Sequence, residues 1–260
     1  MRLTPDEMLA RACADLFWVP PDATVIDRPD LCVVSCPRPV PVLNTVFRAT
    51  GRPDHVPRLV AEVRRLHAGR PARWMVGPFD AGEPLEDSLK AAGYTLEGQY
   101  HGATSRTDRT LTPVSPDIVV RPVTDMQGLQ QAFAVTGAAF GTAISPTRAE
   151  LDLYLAQCTG PDARVLRVVA YDLATGEPLS AGGLTMFPDL GFGLLWAGGT
   201  VPQARGKGAY TKVLEARLHH AARAGLSRVG LYARTDSSLP IVEALGFDRH
   251  APLRIWEHPG

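Results

Sequence analysis

Apolar positions recur along this chain in two rhythms, and their succession lays out its elements. Compact apolar runs at 118–123, 165–171, 179–187, 192–197 and 228–233 read as strands. Two of them, 165–171 and 179–187, flank Ala174-Thr175-Gly176-Glu177-Pro178, a turn-forming string that predicts a strand pair. Other segments space their apolar residues as helices do. Asp125 opens one that continues to Phe140, a second includes 213–218, and a short third covers 239–245. Gly246-Phe247 stops the last of these before a final strand.

Between the run at 192–197 and the helix at 213–218 stands Thr200-Val201-Pro202-Gln203-Ala204-Arg205-Gly206-Lys207-Gly208-Ala209-Tyr210. That order puts a glycine-rich basic turn between a strand and a helix N-terminus. Exposed backbone N–H groups and the helix dipole can hold a phosphate or pyrophosphate there. Gly206 and Gly208 permit close approach of the backbone, and Arg205 and Lys207 add positive charge. A Walker A loop is excluded, since position 201 is Val and Gly208 stands where Ser or Thr is required. The dinucleotide fingerprint fails too, because its third glycine falls on Thr211.

Composition narrows the partners. The 260 residues carry 27 basic and 27 acidic side chains, so no global field argues for nucleic acid. No stretch approaches the about 18 apolar residues of a membrane helix, and the first residues do not begin a signal peptide. Cys13, Cys32, Cys36 and Cys158 lack metal spacing and read as thiols in a reducing cytosol. His219 and His220 are adjacent on a helix and diverge, so they make no metal pair.

The turn resembles motif A of the GCN5-related N-acetyltransferases, the GNAT superfamily, through Pro202, Arg205, Gly206 and Gly208. The family pattern [QR]-x-x-G-x-[GA] fits from Gln203 completely. From Arg205, the preferred register, Tyr210 replaces its last small residue. Ala244-Leu245-Gly246-Phe247 resembles the end of the last helix in the same family. The resemblance implies that Gly198, Gly199 and Thr200 pair with the pantetheine arm of acetyl-CoA. It also implies that backbone N–H groups of Arg205, Gly206, Lys207, Gly208, Ala209 and Tyr210 hold the pyrophosphate, with Thr211 and Ser238 as further contacts. A serine such as Ser238 is more often a helix N-cap, and without the motif Gly198-Gly199 reads equally as a strand bulge.

The first half carries a fainter copy. Asn44-Thr45-Val46 is matched to Gly199-Thr200-Val201, Trp74-Met75-Val76 to Val229-Gly230-Leu231, the helix at 60–66 to that at 213–218, and Ala91-Ala92-Gly93-Tyr94 to 244–247. Its turn, Thr50-Gly51-Arg52-Pro53-Asp54-His55, has one glycine fewer, a proline without an N–H, and an acidic residue that repels phosphate. The expected fold is α/β (α+β): two tandem GNAT-like domains, each with a mixed, mostly antiparallel central sheet flanked by helices. Residues 1–110 form the degenerate domain, 111–116 (within the polar, proline-bearing string 107–116) the linker, and 117–260 the acetyl-CoA-binding domain.

The activity so implied is acetyl transfer from acetyl-CoA to a primary amine of a small molecule, or a peptide N-terminus, by direct attack. No metal, nucleic acid or membrane takes part, and the expected compartment is the cytoplasm. Where relatives place an acidic tyrosine, this chain has Val242, and no carboxylate lies in 192–201. Glu243 is expected to face solvent, Tyr232 to pack in the core, and Tyr210 to be a nearby hydroxyl. The catalytic acid and base are therefore unassigned. These gaps favour an alternative, a non-catalytic acyl-CoA-binding or regulatory protein.

Overall fold

The computed structural model describes residues 3–109, 111, 116–141 and 145–260. Most of the expected linker lies outside them. In chain order the elements are α1 (Pro5–Cys13), β1 (Thr24–Arg28), β2 (Leu31–Ser35), β3 (Thr45–Ala49), α2 (Val56–His67), β4 (Ala72–Val76), α3 (Glu83–Ala91) and β5 (Thr95–Arg106). They continue with β6 (Ile118–Pro122), α4 (Met126–Phe140), α5 (Arg148–Thr159), β7 (Val165–Asp172), β8 (Pro178–Phe187) and β9 (Phe192–Thr200). Last come α6 (Ala209–Arg223), β10 (Arg228–Arg234), α7 (Ser238–Ala244) and β11 (Asp248–His258). Packing divides the chain into two compact units, Thr104–Leu231 and Met1–Ala103 with Tyr232–Gly260.

In the unit Thr104–Leu231 the strands run in the order β10-β9-β8-β7-β6. Neighbours from β6 to β9 are antiparallel, and β10 lies parallel to β9. Both faces of β7 are covered, which is why it is buried nearly end to end rather than at alternate residues. Val169 and Tyr171 join Leu129 and Val135 of α4, whereas Val168 and Ala170 meet Val213 of α6. Asp125 caps α4 as its sequence predicts, its Oδ1 accepting the Gly128 N–H at 2.8 Å. The predicted hairpin turn is an Asx turn, with Asp172 Oδ1 accepting from the N–H groups of Ala174 and Thr175.

The other unit orders its strands β1-β2-β3-β4-β11-β5. β1, β2 and β3 form an antiparallel meander, β4 is parallel to β3, and β11 is antiparallel to β4. Trp74, Leu59, Val63, Leu85 and Leu89 build its core together with Trp256. The meander followed by a helix and a parallel strand repeats in both units, as β1-β2-β3-α2-β4 and β7-β8-β9-α6-β10. The mixed, mostly antiparallel repeat expected from the sequence is thus present.

Two details of the expected repeat change. Val46 pairs with Trp74, while Val229 pairs with Gly193, so the partner of Val46 in the second repeat is Gly193 and not Val201. The matched spacing misled because β9 and α6 are both longer than β3 and α2. The expected boundary at 111–116 follows the repeat along the chain, whereas the compact units follow strand pairing: β11 lies against β4, from Arg254–Val76 to His258–Ala72.

Candidate acetyl-CoA site

The site residues expected from 198 to 211 come together at one end of β9 and the start of α6. β9 pairs with β10 over only three positions, Phe192–Arg228, Gly193–Val229 and Leu194–Gly230. Beyond Leu194 the strand continues to Thr200 with β8 alone beside it among the described residues of its unit. Its pairing with β8 shifts register between Ala181 and Gly183, and Ala197 has φ +49°, a left-handed conformation uncommon outside glycine. The outer half of β9 is thus a bulged strand with one open edge.

Gly198 and Gly199 each have a packing reason. A Cβ on Gly198 would sit 3.0 Å from the Tyr210 ring and 3.3 Å from Arg217 Nη2. One on Gly199 would sit 2.7 Å from Ala139 Cβ, where the end of α4 closes on the strand. Thr200 donates its hydroxyl to Ser180 Oγ at 3.0 Å, and Ser180 in turn donates to the Gly199 carbonyl at 2.8 Å.

After a single 3-10 turn over Pro202–Ala204 the chain reaches Arg205, which donates from Nη2 to the Ala139 carbonyl at 3.1 Å. Gly206 (φ +76°) and Gly208 (φ +82°) are both left-handed, so a side chain at either would be strained. Gly208 is the N-cap of α6 and offers no side-chain acceptor, which leaves first-turn N–H groups uncapped. Arg205, Gly206 and Lys207 are exposed, and Ala209 is buried. A 15-residue helix therefore points an open N-terminus and a basic, flexible-backbone turn at solvent.

Ser238 lies in the other unit, where its Oγ accepts the Arg234 N–H at 2.8 Å. It caps no helix: Ser237 holds the N-cap position of α7 and makes no side-chain cap bond. Val242 is fully buried, and Glu243 pairs with Arg249 at 2.7 Å, which holds its carboxyl below the usual range. His220 titrates lower than an ordinary histidine because it is partly desolvated and faces Arg223. Among the described residues no group of three or more His, Cys, Asp or Glu is placed to hold a metal, and no helix is long and apolar enough to cross a membrane.

Arg217 is the site residue that the sequence did not announce. It occupies the buried stripe of α6, between Val213 and Ala221, and is fully enclosed. Its Nε donates to the Val213 carbonyl and its Nη1 to the Gly183 carbonyl at 3.2 Å, while Nη2 has no hydrogen-bond partner among the described residues. Burial lowers its affinity for a proton, with Tyr210 the neighbour that opposes this. The available signal was one arginine at i+4 from Val213 in an otherwise apolar stripe. Arg167 is similar: its guanidinium lies 4.5 Å from the centre of Trp196, 5.0 Å from Phe133 and 5.4 Å from Tyr154.

No family model matches the sequence, and no curated protein is similar to it at a significant level. Solved structures share its fold. A GCN5-related N-acetyltransferase from Kribbella flavida superposes with a TM-score of 0.73 at 19% identity, over 97% of this chain and 96% of that one. One from Sphaerobacter thermophilus gives 0.64 at 15% identity, over 99% and 94%. A tandem GNAT protein from the clavulanic acid biosynthesis pathway gives 0.63 at 16% identity, over 96% and 88%. The fold of this chain is the tandem GNAT fold.

Proposed function

We propose that this protein transfers an acetyl group from acetyl-CoA to a primary amine of a small molecule, with the unit Thr104–Leu231 holding the acetyl-CoA. One observation carries the reading: a strand with an open outer edge runs straight into a basic glycine turn and an uncapped helix N-terminus. The backbone of Gly198, Gly199 and Thr200 suits the pantetheine amides as an added strand would. N–H groups from Arg205 to Thr211 suit the pyrophosphate. Acetyl-CoA supplies an activated thioester. The neutral amine forms a C–N bond to its carbonyl carbon, the C–S bond breaks, and the amine's lost proton is matched by one delivered to the departing thiolate. Tyr210, whose ring lies against Gly198 beside Arg217, is the phenol best placed to deliver it. In this reading the unit Met1–Ala103 with Tyr232–Gly260 binds no CoA, since its own turn, between β3 and α2, keeps Pro53 and an Arg52–Asp54 pair.

Calorimetric titration of acetyl-CoA into the wild type and a Gly206→Asp/Gly208→Asp double variant tests the site. One site per chain is expected, and no binding in the folded variant. Thiol release with a panel of small amines then separates the enzyme from the second reading, a non-catalytic acyl-CoA-binding protein, which the buried Val242 favours. Binding without amine-dependent thiol release would support that second reading.

A further inference from the structure

The unit Met1–Ala103 with Tyr232–Gly260 contains a cavity of about 250 Å³. Ala10 and Cys13 of α1 line it on one side, Phe47 of β3 and Met75 of β4 on others, with Asp80 and Tyr232. Its position follows from the strands. β3 and β4 pair in parallel only at Thr45–Arg73 and Val46–Trp74. Beyond that point the Asp80 carboxylate stands between them, Oδ1 accepting the Ala49 N–H at 2.6 Å and Oδ2 the Gly77 N–H at 2.8 Å.

Among the described residues no basic side chain hydrogen-bonds this carboxylate, and Arg48, which also lines the cavity, acts on it only through its charge. The charged neighbours are engaged or exposed: Arg48 uses Nη2 on Asp27 and the Arg28 carbonyl while its buried Nε bonds no described residue, Glu7 closes the capping box with Thr4, and Arg11 is exposed. Burial pushes the Cys13 thiol up to about 11, so it adds no charge. The Tyr232 hydroxyl has no hydrogen-bond partner among the described residues, and burial keeps it protonated. Each Asp80 oxygen retains a free lone pair. Phe47, Phe79 and Tyr232 add aromatic surface, whose faces attract a cation.

We propose that this cavity binds a small protonated amine with a compact apolar body, the ammonium seated on Asp80 and the Tyr232 oxygen. At about 250 Å³ it lies just under the common range of ligand pockets, so the ligand is fragment-sized. The site is tested with no acetyl-CoA present, so its outcome does not depend on the proposed acetyl transfer.

Three probes of similar size and different charge decide it: benzylamine, benzyl alcohol and benzoate, titrated by calorimetry into the full chain. Benzylamine is expected to bind once per chain, at least about tenfold more tightly than either of the others. Asp80→Asn should abolish that preference, and Ala10→Phe, which fills the cavity from α1, should abolish binding. Burial raises the Asp80 carboxyl to about 6, so wild-type affinity should fall about tenfold between pH 7.5 and pH 5. That last measurement needs no variant. Equal or tighter binding of benzoate would make Arg48 or Arg11 the determinant and overturn the proposal. Absence of benzylamine binding, or binding unchanged in folded Ala10→Phe, would also overturn it.

Discussion

At Gly199 a methyl group would meet Ala139 at 2.7 Å and the Phe140 ring at 3.2 Å, both from the end of α4. Gly199→Ala therefore pushes a helix off the strand that it packs on. A loss of about 1–3 kcal/mol is expected in urea denaturation, with the circular dichroism of the native state unchanged. Tyr210 tests chemistry rather than packing. If its phenol protonates the departing thiolate, Tyr210→Phe should lower kcat about 10²-fold and leave KM for acetyl-CoA nearly unaltered. A comparable rise in KM alone would make Tyr210 a binding residue. The glycine-rich turn was legible in the sequence because glycine and basic residues have few other uses at a strand-to-helix junction. Arg217 was not, because nothing local distinguishes a buried arginine from one that reaches solvent.

Single elements show where reading a sequence succeeds. Strands β7 to β10 and helices α4, α6 and α7 are announced by apolar periodicity and by caps such as Asp125. α5 went unread although Thr147 and Glu150 form a capping box at its start, since only Glu150 and Tyr154 are buried and no apolar stripe marks it. β1 and α1 lack an apolar stripe for a like reason, β1 being mostly exposed and α1 mostly half-exposed. β1 is secured from outside its own strand. Arg28 grips both Glu62 oxygens on α2 at 2.7 Å and Asp30 at 2.8 Å, which holds both carboxyls below their usual range. Groups with depressed folded values stabilise above the unfolded pKa and lose that contribution as pH falls through the folded one. The melting-temperature gap between wild type and Arg28→Met should thus be present at neutral pH and close toward about pH 3.

At the scale of the molecule, the repeated order of strand, helix and parallel strand could be read from the chain, but the partner of its last strand could not. Periodicity says that β11 is a strand; only long-range pairing says that it lies on β4. Trp256, 6% exposed, accordingly belongs to a core built otherwise from residues of the first hundred. Trp256→Ala should cost about 3–5 kcal/mol, read in urea through the unit that contains Trp74. A chain cut at 111–116 should yield a 117–260 fragment that aggregates alone but copurifies with 1–110 when the two are expressed together.

That same pairing sets an order of events at the ribosome. Thr104–Leu231 is one uninterrupted stretch and can fold as soon as it has emerged. The other unit is built from two separate stretches and must wait, its β4 edge bare, until β11 has followed. Synthesis thus runs from front to back, while the later of these two units closes first and the earlier stretch is completed only when β11 reaches it.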